Sequence, residues 1–243
     1  MLKIFKRSSK KKSRFQDQYI QLRELEKETK KRFTLEERDF YPCLDDNTAE
    51  TGFDRHYVYH PAWAARILKA TNPARHIDIS STLHFCSILS AFIPVDFYDY
   101  RPANLHLDNF NSLAGDLMNL PFPSGSVESL SCMHTVEHVG LGRYGDPMDY
   151  NGDVRAINEL KRVLAPNGNL LFVVPLGARD IICFNAHRIY TKGQVVDLFA
   201  GLELKEFALI PENEKDGGLI VNPDRELLDS QFYGCGCFWF TKL

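Results

Sequence analysis

The feature that most constrains the fold is a regular alternation of short apolar runs with helical patterns after residue 56. The short apolar runs are typical of strands and predict seven of them, at 76–80, 95–100, 112–115, 129–133, 170–174, 204–210 and 238–241. Apolar residues three or four positions apart predict helices at 60–70, 83–92, 153–164 and 191–199. Strands that alternate with helices favour an α/β fold with a doubly wound, mostly parallel sheet.

The first 55 residues have a different composition. Residues 1–14 contain seven basic and no acidic side chains, which predicts a disordered basic arm. Residues 15–32 place apolar side chains at helical spacing among charged ones and predict a short amphipathic helix, and the acidic segment 33–55 predicts a linker. We therefore expect an N-terminal extension, 1–55, followed by one domain, 56–243, with an insertion at 211–236 before the last strand.

Charge and composition limit the kinds of molecule that we expect the chain to bind and the compartment in which we expect it. Beyond residue 14 the chain carries 22 basic and 32 acidic side chains, so we expect no nucleic-acid partner. Residues 1–32 either form a solvated helix or make peripheral contact with an anionic membrane surface. The chain contains no run of about 18 apolar residues and no apolar stretch of a secretory signal near its start. Six scattered cysteines then indicate reduced thiols in a cytoplasmic protein, and a membrane-associated form would lie on the inner face.

Three aspartates stand at the ends of predicted strands: Asp78, Asp99 and Asp116. A doubly wound sheet binds its ligand at the carboxyl ends of its strands. Asp99 follows Asp78 by 21 residues, close to the spacing of the acid that holds a ribose in nucleotide-binding sheets. An ionised carboxylate accepts hydrogen bonds from both ribose hydroxyls. Each acid alone is typical of a helix cap or a solvated loop, but the three together predict a ligand site.

Residues 76–175 resemble the class I S-adenosylmethionine-dependent methyltransferases. The resemblance is carried by these aspartates, by GDLMNLPFPSGSVESLSCMHTVEHV (115–139) and by AINELKRVLAPNGNLLFVVP (156–175). Residues 140–153 and 184–190 are similar to a narrower subgroup associated with polysaccharide biosynthesis. The resemblance implies a Rossmann-like methyltransferase sheet, S-adenosylmethionine as cofactor, and methyl transfer to an oxygen of a saccharide or glycolipid precursor.

The resemblance also implies a role for individual residues. Asp99 would hold the ribose, Asp116 with Leu117 the adenine, and His134 would line the pocket. The cofactor-binding set is completed by the first strand and its loop, Asp78, Ser80 and Ser81. This loop has no glycine where the family usually carries GxG, so side chains could crowd the cofactor. The departure leaves open a second function, a scaffold that kept the sheet but binds no cofactor.

Histidines and arginines near the strand ends are the candidates for the chemistry. A hydroxyl acceptor is helped by a base that titrates near neutral pH, as histidine does. His134 is the first candidate base and His187 the second, with the neighbouring Arg188 beside them. Arg143 and Arg188 could clamp an anionic acceptor, and Tyr144 could contact it.

Two other chemistries fit the sequence less well. His134–His138 reads H-x-x-E-H, the signature of a zinc peptidase group. That group needs a further ligand on a long helix, which Gly140 and Gly142 would interrupt. A nicotinamide oxidoreductase would need GxGxxG after the first strand, which is absent. The methyltransferase that the resemblance implies therefore remains the prediction, without a metal site and with the oligomeric state left open.

Overall fold

The computed structural model describes the backbone of residues 2–243 and the side chains of residues 11–243. The chain divides into two compact units, Met1–Phe53 and Asp54–Leu243. Within the described residues, no helix combines the length and the apolar character needed to cross a bilayer.

The first unit is built on helix α1, Leu2–Lys27. This differs from the disordered arm expected through residue 14 and from the helix expected over 15–32; residue 1 lies outside the described residues. The segment contains neither glycine nor proline and is rich in lysine, arginine and glutamine, which are good helix formers. Phe40 packs edge-on against Phe15 and Tyr19, with ring centroids 5.1 and 4.7 Å apart.

The second unit alternates strands with helices. Its helices are α2 (Arg55–Thr71), α3 (Leu83–Leu89), α4 (Gly152–Val163), α5 (Lys192–Leu198) and α6 (Arg225–Asp229). Its first five strands are β1 (His76–Ile79), β2 (Val95–Asp99), β3 (Phe110–Ala114), β4 (Val127–Met133) and β5 (Leu164–Leu176). The later strands are β6 (Ile181–Cys183), β7 (His187–Ile189), β8 (Leu202–Ile210), β9 (Ile220–Val221) and β10 (Gly234–Lys242).

Eight strands of residues 54–243 form one sheet in the order β3-β2-β1-β4-β5-β10-β8-β9. Strands β1 to β5 pair in parallel, and β10 lies antiparallel between β5 and β8. The doubly wound, mostly parallel sheet predicted from the sequence is confirmed. It has eight strands rather than seven because Ile220–Val221, inside the segment 211–236, pairs with β8 at the edge. Strands β6 and β7 form a separate hairpin.

Helices cover both faces of the sheet. Buried side chains of α2 and α3 form one apolar cluster with the sheet, and those of α4 and α5 form another. Alternate residues of β5 enter the two clusters: Leu171 and Val173 belong to the first, and Leu170, Phe172 and Val174 to the second. Because both faces are covered, this strand is apolar throughout its centre.

The strand order reverses between β1 and β4. From β1 the chain builds outward through β2 to β3, and it then returns to place β4 on the other side of β1. Open α/β sheets bind ligands at such a switch point, beyond the carboxyl ends of the strands. The topology therefore predicts a ligand site among the loops that follow β1, β2, β3 and β4.

Candidate active site

A cavity of about 380 Å³ opens beyond the carboxyl ends of these four strands. Each strand contributes residues that follow it, and α2 and the loop before α4 complete the lining. The lining residues used below are Tyr57, Ser80, Ser81, Asp99, Tyr100, Arg101, Gly115, Asp116, Leu117, His134, His138 and Tyr144. The volume lies within the range of small-molecule sites in proteins.

Asp99 and Asp116 both line this cavity, from the ends of the adjacent strands β2 and β3. Each carboxylate is fixed by one backbone N–H two residues later. Oδ1 of Asp99 accepts from Arg101 at 2.7 Å, and Oδ1 of Asp116 accepts from Met118 at 2.8 Å. No hydrogen bond from the described residues reaches Oδ2 of either aspartate. The two carboxylates are therefore oriented while each keeps an oxygen that can accept from a ligand.

The loop after β1 is shaped by a buried carboxylate and a serine in place of glycine. Asp78 is fully buried, and it accepts hydrogen bonds from the Ser81 backbone N–H at 2.9 Å and from the Ser131 hydroxyl. Ser80 has a φ of 54°, in the left-handed region that glycine favours, and its hydroxyl donates to the Tyr98 carbonyl at 3.0 Å. The loop therefore adopts a glycine-like backbone without a glycine.

This geometry separates the residues predicted for the first loop. Ser80 and Ser81 line the cavity, whereas Asp78 does not and lies inside the sheet. Burial raises the pKa of Asp78, although its hydrogen bonds from Ser131 and Ser81 oppose the shift. The position does not favour direct contact between Asp78 and a cofactor. It favours a positioning role, because the same carboxylate ties the strand to the loop.

His134 lines the cavity, but both of its ring nitrogens already have neighbours. Its Nδ1 lies 2.9 Å from Oε1 of Glu137, and its Nε2 lies 3.4 Å from Sγ of Cys235. Its φ of 58° is uncommon for a residue other than glycine. Glu137 is 1% exposed, and within the described residues its Oε2 has no hydrogen-bond partner. The predicted role of His134 as the base is not favoured, because Nδ1 faces Glu137 and Nε2 faces the buried Cys235 rather than an acceptor in the cavity.

His138 is better placed than His134 to take up a proton at the cavity. Its Nδ1 lies 2.6 Å from the Ala186 carbonyl oxygen, a distance that requires the proton to sit on Nδ1. The neutral ring therefore carries its lone pair on Nε2. This nitrogen lies 3.8 Å from Oε1 of Glu137, which would stabilise a positive charge on the ring.

The pentapeptide His134–His138 adopts a loop and a short 3₁₀ turn, Val136–His138. Glu137 lies between the two histidines and contacts both, at the distances given above. A zinc peptidase of the H-x-x-E-H type holds both histidines on the metal from one helix. The local structure does not have that helix.

Of the residues predicted to contact or activate the acceptor, some line the cavity and others lie outside it. Tyr144 lines the cavity, and the guanidinium groups of Arg101 and Arg143 lie over its ring at 4.7 and 5.1 Å. Arg143 itself donates to the Ala186 carbonyl at 3.1 Å and does not line the cavity. His187 also lies outside the lining, with its ring 5.0 Å from that of Tyr233, and burial lowers its pKa.

Arg188 holds the loop between β4 and α4 rather than facing the cavity. It is 4% exposed and donates to the carbonyls of Val139 at 2.7 Å and Tyr150 at 3.1 Å. Its Nε lies 3.6 Å from Asp153, whose carboxylate also accepts from the Tyr190 hydroxyl at 3.0 Å. The predicted roles of Arg188 in catalysis and acceptor binding are not favoured, because its donors are directed at the protein itself.

Sequence reasoning missed a group of rings around His134, of which His56 and His60 are buried and Tyr57 is partly exposed. His56 and Tyr57 stack on its ring with centroids 5.3 and 5.2 Å away, and His60 meets it edge-on at 5.1 Å. Burial, and then the neighbouring His134, lower the pKa of His56 to about 4. The available signal was the pair His56 and His60, one helical turn apart in α2. Cys235 on β10 gave no such signal, because nothing in its surrounding sequence relates it to these histidines.

Comparisons by sequence find one family model, which covers part of the chain. Residues 123–216 match the model of a family described as Caenorhabditis protein of unknown function, DUF268. No curated protein matches the chain.

Two solved structures show the likeness at low sequence identity. A putative methyltransferase from Bacillus halodurans is 15% identical, with a TM-score of 0.50, 74% of this chain covered and 99% of that chain. The 1,6-didemethyltoxoflavin-N1-methyltransferase of Burkholderia thailandensis, with bound 1,6-didemethyltoxoflavin and S-adenosylhomocysteine, is 10% identical. Its TM-score is 0.52, with 75% of this chain and 78% of that chain covered. The chain therefore has the Rossmann-like fold of the class I S-adenosylmethionine-dependent methyltransferases.

Proposed function

We propose that the protein is an S-adenosylmethionine-dependent methyltransferase. The observation that supports this most strongly is the pairing of Asp99 and Asp116 on one cavity at the switch point of a methyltransferase fold. Both carboxylates are oriented by the backbone and keep an acceptor oxygen for a ligand. A nucleoside presents hydroxyls and amino groups that such oxygens bind.

The residues of the cavity fit the cofactor. Asp99 would hold the ribose hydroxyls, Asp116 and Leu117 the adenine, and the loop of Ser80 and Ser81 the methionine end. The absence of glycine in this loop is offset because Ser80 adopts the left-handed backbone conformation and the cavity remains open beside it. When bound, the cofactor supplies an electrophilic methyl group on a sulfonium centre.

The chain's own part in the reaction is to orient the acceptor and to receive its proton. We assign the proton to Nε2 of His138, which lines the cavity and has its tautomer set by the Ala186 carbonyl. Glu137, 3.8 Å away, would stabilise the imidazolium that forms. This assignment replaces His134 and His187 of the sequence analysis.

The acceptor in this proposal is a hydroxyl of a saccharide or glycolipid precursor. Its support is the chemistry of the cavity mouth, where the side chains of Tyr100 and Tyr144 are 54% and 40% exposed. Arg101 lies beside them, because its backbone N–H donates to Asp99 and its guanidinium lies over the Tyr144 ring. Aromatic faces with nearby polar groups suit a ligand that is apolar on one face and hydroxylated at its edge. The test is formation of S-adenosylhomocysteine against a panel of sugars, nucleotide sugars and glycolipids. Turnover with amine acceptors alone would contradict this choice of acceptor.

Thermal unfolding with S-adenosylmethionine or S-adenosylhomocysteine tests cofactor binding. A ligand at 100 times its dissociation constant stabilises the folded state by about 2.7 kcal/mol, which is easily measured. Asp99→Ala should abolish the shift, whereas Asp108→Ala, an exposed aspartate between β2 and β3, should retain it. No shift in the wild-type protein with either ligand would contradict the proposal and favour a scaffold without a cofactor.

A further inference from the structure

We propose that the protein binds a divalent ion of the zinc class at a site made by His56, His134 and Cys235. One ligand atom from each of these residues lies within 4.8 Å of the others, and all three side chains are buried. The sequence alone predicts no metal site. The inference does not depend on the proposed methyl transfer.

The three residues come from parts of the chain that the fold brings together. His56 lies in α2, His134 in the loop after β4, and Cys235 in β10. Nε2 of His134 and Sγ of Cys235 are 3.4 Å apart. Zinc–nitrogen and zinc–sulfur bonds in tetrahedral geometry hold such atoms about 3.6 Å apart, so this pair already has the spacing of two ligands.

Glu137 orients His134 as a metal ligand requires. Because Nδ1 of His134 donates to Oε1 of Glu137 at 2.9 Å, the neutral ring carries its lone pair on Nε2, toward Cys235. Histidines that bind metals in proteins characteristically donate their other ring N–H to a carboxylate or a carbonyl. Glu137 is almost fully buried, so its charge lacks water and would be compensated by a nearby cation.

His60 provides a second, independent observation. Its Nδ1 lies 2.6 Å from the His56 carbonyl oxygen and therefore bears the proton, which leaves a lone pair on Nε2. Within the described residues this nitrogen is buried without a hydrogen-bond partner, and its ring centroid is 5.1 Å from that of His134. Buried polar atoms are rarely left unpaired, so this nitrogen is an unsatisfied polar group next to the cluster, although it is not one of the three atoms that lie within 4.8 Å of one another.

The donor set decides the class of metal. Two imidazoles and one thiolate suit zinc and its late first-row neighbours, whereas magnesium and calcium prefer oxygen ligands. On binding, the Cys235 thiol loses its proton to solvent and the two histidines donate lone pairs. Three protein ligands leave the fourth position open, as in zinc sites that accept a water or substrate. The ion would join α2, the β4 loop and β10.

Cobalt(II) titration of the full chain, freed of metal by a chelator under reducing conditions, tests the site. Cobalt(II) should bind one equivalent, with a thiolate-to-cobalt charge-transfer band that zinc then abolishes. Cys235→Ala should lose this band, while Cys237→Ala, the matched buried cysteine two residues along β10, should keep it. No band in the wild-type protein, or a band that survives Cys235→Ala, would overturn the proposal.

Two further variants separate ligand loss from misfolding. His56→Gln should lower cobalt affinity at least tenfold with an unchanged circular dichroism spectrum, and it decides the matter if Cys235→Ala fails to fold. Glu137→Gln should weaken affinity by about 10- to 100-fold while the spectrum of the cobalt complex is kept, as expected of a positioning residue. Unchanged affinity in His56→Gln would exclude this ligand set.

Discussion

The Asp78 carboxylate accepts a hydrogen bond of 2.9 Å from the backbone N–H of Ser81, so a buried strand residue holds the loop that lines the cavity. The same side chain accepts from the Ser131 hydroxyl on β4. One carboxylate thus couples the packing of the sheet to the shape of the candidate cofactor site. This coupling makes the stability of the fold and the affinity for a cofactor sensitive to the same residue.

Asp78→Ala should lower both the stability of the fold and the affinity for a cofactor. The substitution leaves the Ser81 N–H and the Ser131 hydroxyl without their acceptor, at about 1–3 kcal/mol for each unsatisfied buried group. Asp78→Asn keeps an acceptor oxygen for Ser81 and should be clearly milder. Urea unfolding measures the stability, and thermal shift with S-adenosylhomocysteine measures the binding. Equal losses in the two variants would show that charge rather than the acceptor geometry matters.

His76 should make the protein less stable in mild acid. Its ring is fully buried between the hydroxyls of Ser129 and Ser131, each 2.8 Å away, and burial lowers its pKa to about 3. An unfolded chain protonates this histidine below about pH 6.5, whereas the folded protein does not until about pH 3. Between these values the unfolded state binds the extra proton, so stability falls as the pH falls.

His76→Gln should remove this contribution, which is about 1.4 kcal/mol per pH unit within that window. The measurement is the free energy of unfolding in urea at pH 7.5, 6 and 5. The wild-type slope should exceed that of the variant, and His84→Gln, at an exposed position of α3, should keep the wild-type slope. Parallel slopes in wild-type and His76→Gln would contradict the burial of a neutral ring.

Gly115→Ala should weaken cofactor binding more than it affects folding. Gly115 lines the cavity between Ala114 and Asp116, and a Cβ at this position would lie 3.0 Å from Cδ1 of Tyr98. The tyrosine ring must shift, which disturbs the strand tip next to Asp99. Gly193→Ala in α5 is the control, because no atom lies within 4 Å of its added Cβ. We expect a reduced thermal shift with S-adenosylhomocysteine for Gly115→Ala alone.

Arg188→Met should destabilise the protein by about 3–5 kcal/mol, since it removes one partner of a buried ion pair. The loss removes the charge partner of Asp153, which among the described residues keeps only its hydrogen bond from Tyr190, and the Arg188 donors to the carbonyls of Val139 and Tyr150. Arg155→Met is the control, because the Arg155 side chain is 67% exposed in its 3.0 Å ion pair with Asp149 and should cost at most about 1 kcal/mol. Limited proteolysis should then cut Arg188→Met between residues 139 and 150. A stable variant that only loses activity would restore the role predicted from the sequence.

Alternation along the chain was sufficient to predict the class of fold, because a strand buried on both faces is apolar throughout and a helix on a sheet is apolar on one side. The seven predicted strands all appear in the sheet. The eighth, Ile220–Val221, is two residues long and carries no periodic signal. The basic segment at the start was expected to be disordered from its charge, whereas α1 follows the helix propensity of the same residues.

The candidate site was only partly predictable, and the failures have two causes. Asp99, Asp116 and Ser80 could be placed because loops that follow adjacent parallel strands meet at one edge. Arg188 and Asp78 could not, since a charged side chain near a strand end can point toward the cavity or into the protein. His56 and Cys235 are brought to His134 by packing between distant segments, and no local pattern encodes that contact.

Strand β10 lies between β5 and β8 and follows both in sequence, so among the described residues it is β10 that joins β8 and β9 to the rest of the sheet. During synthesis, the facing edges of β5 and β8 stay unpaired until residues 234–242 have left the ribosome. Completion of the sheet therefore requires pairing between strands that are distant in sequence, and such pairing makes folding slow. Until it is complete, the unpaired strand edges are prone to aggregate with other chains. Recombinant yield should therefore respond more to growth temperature and chaperone supply than to changes in the N-terminal helix.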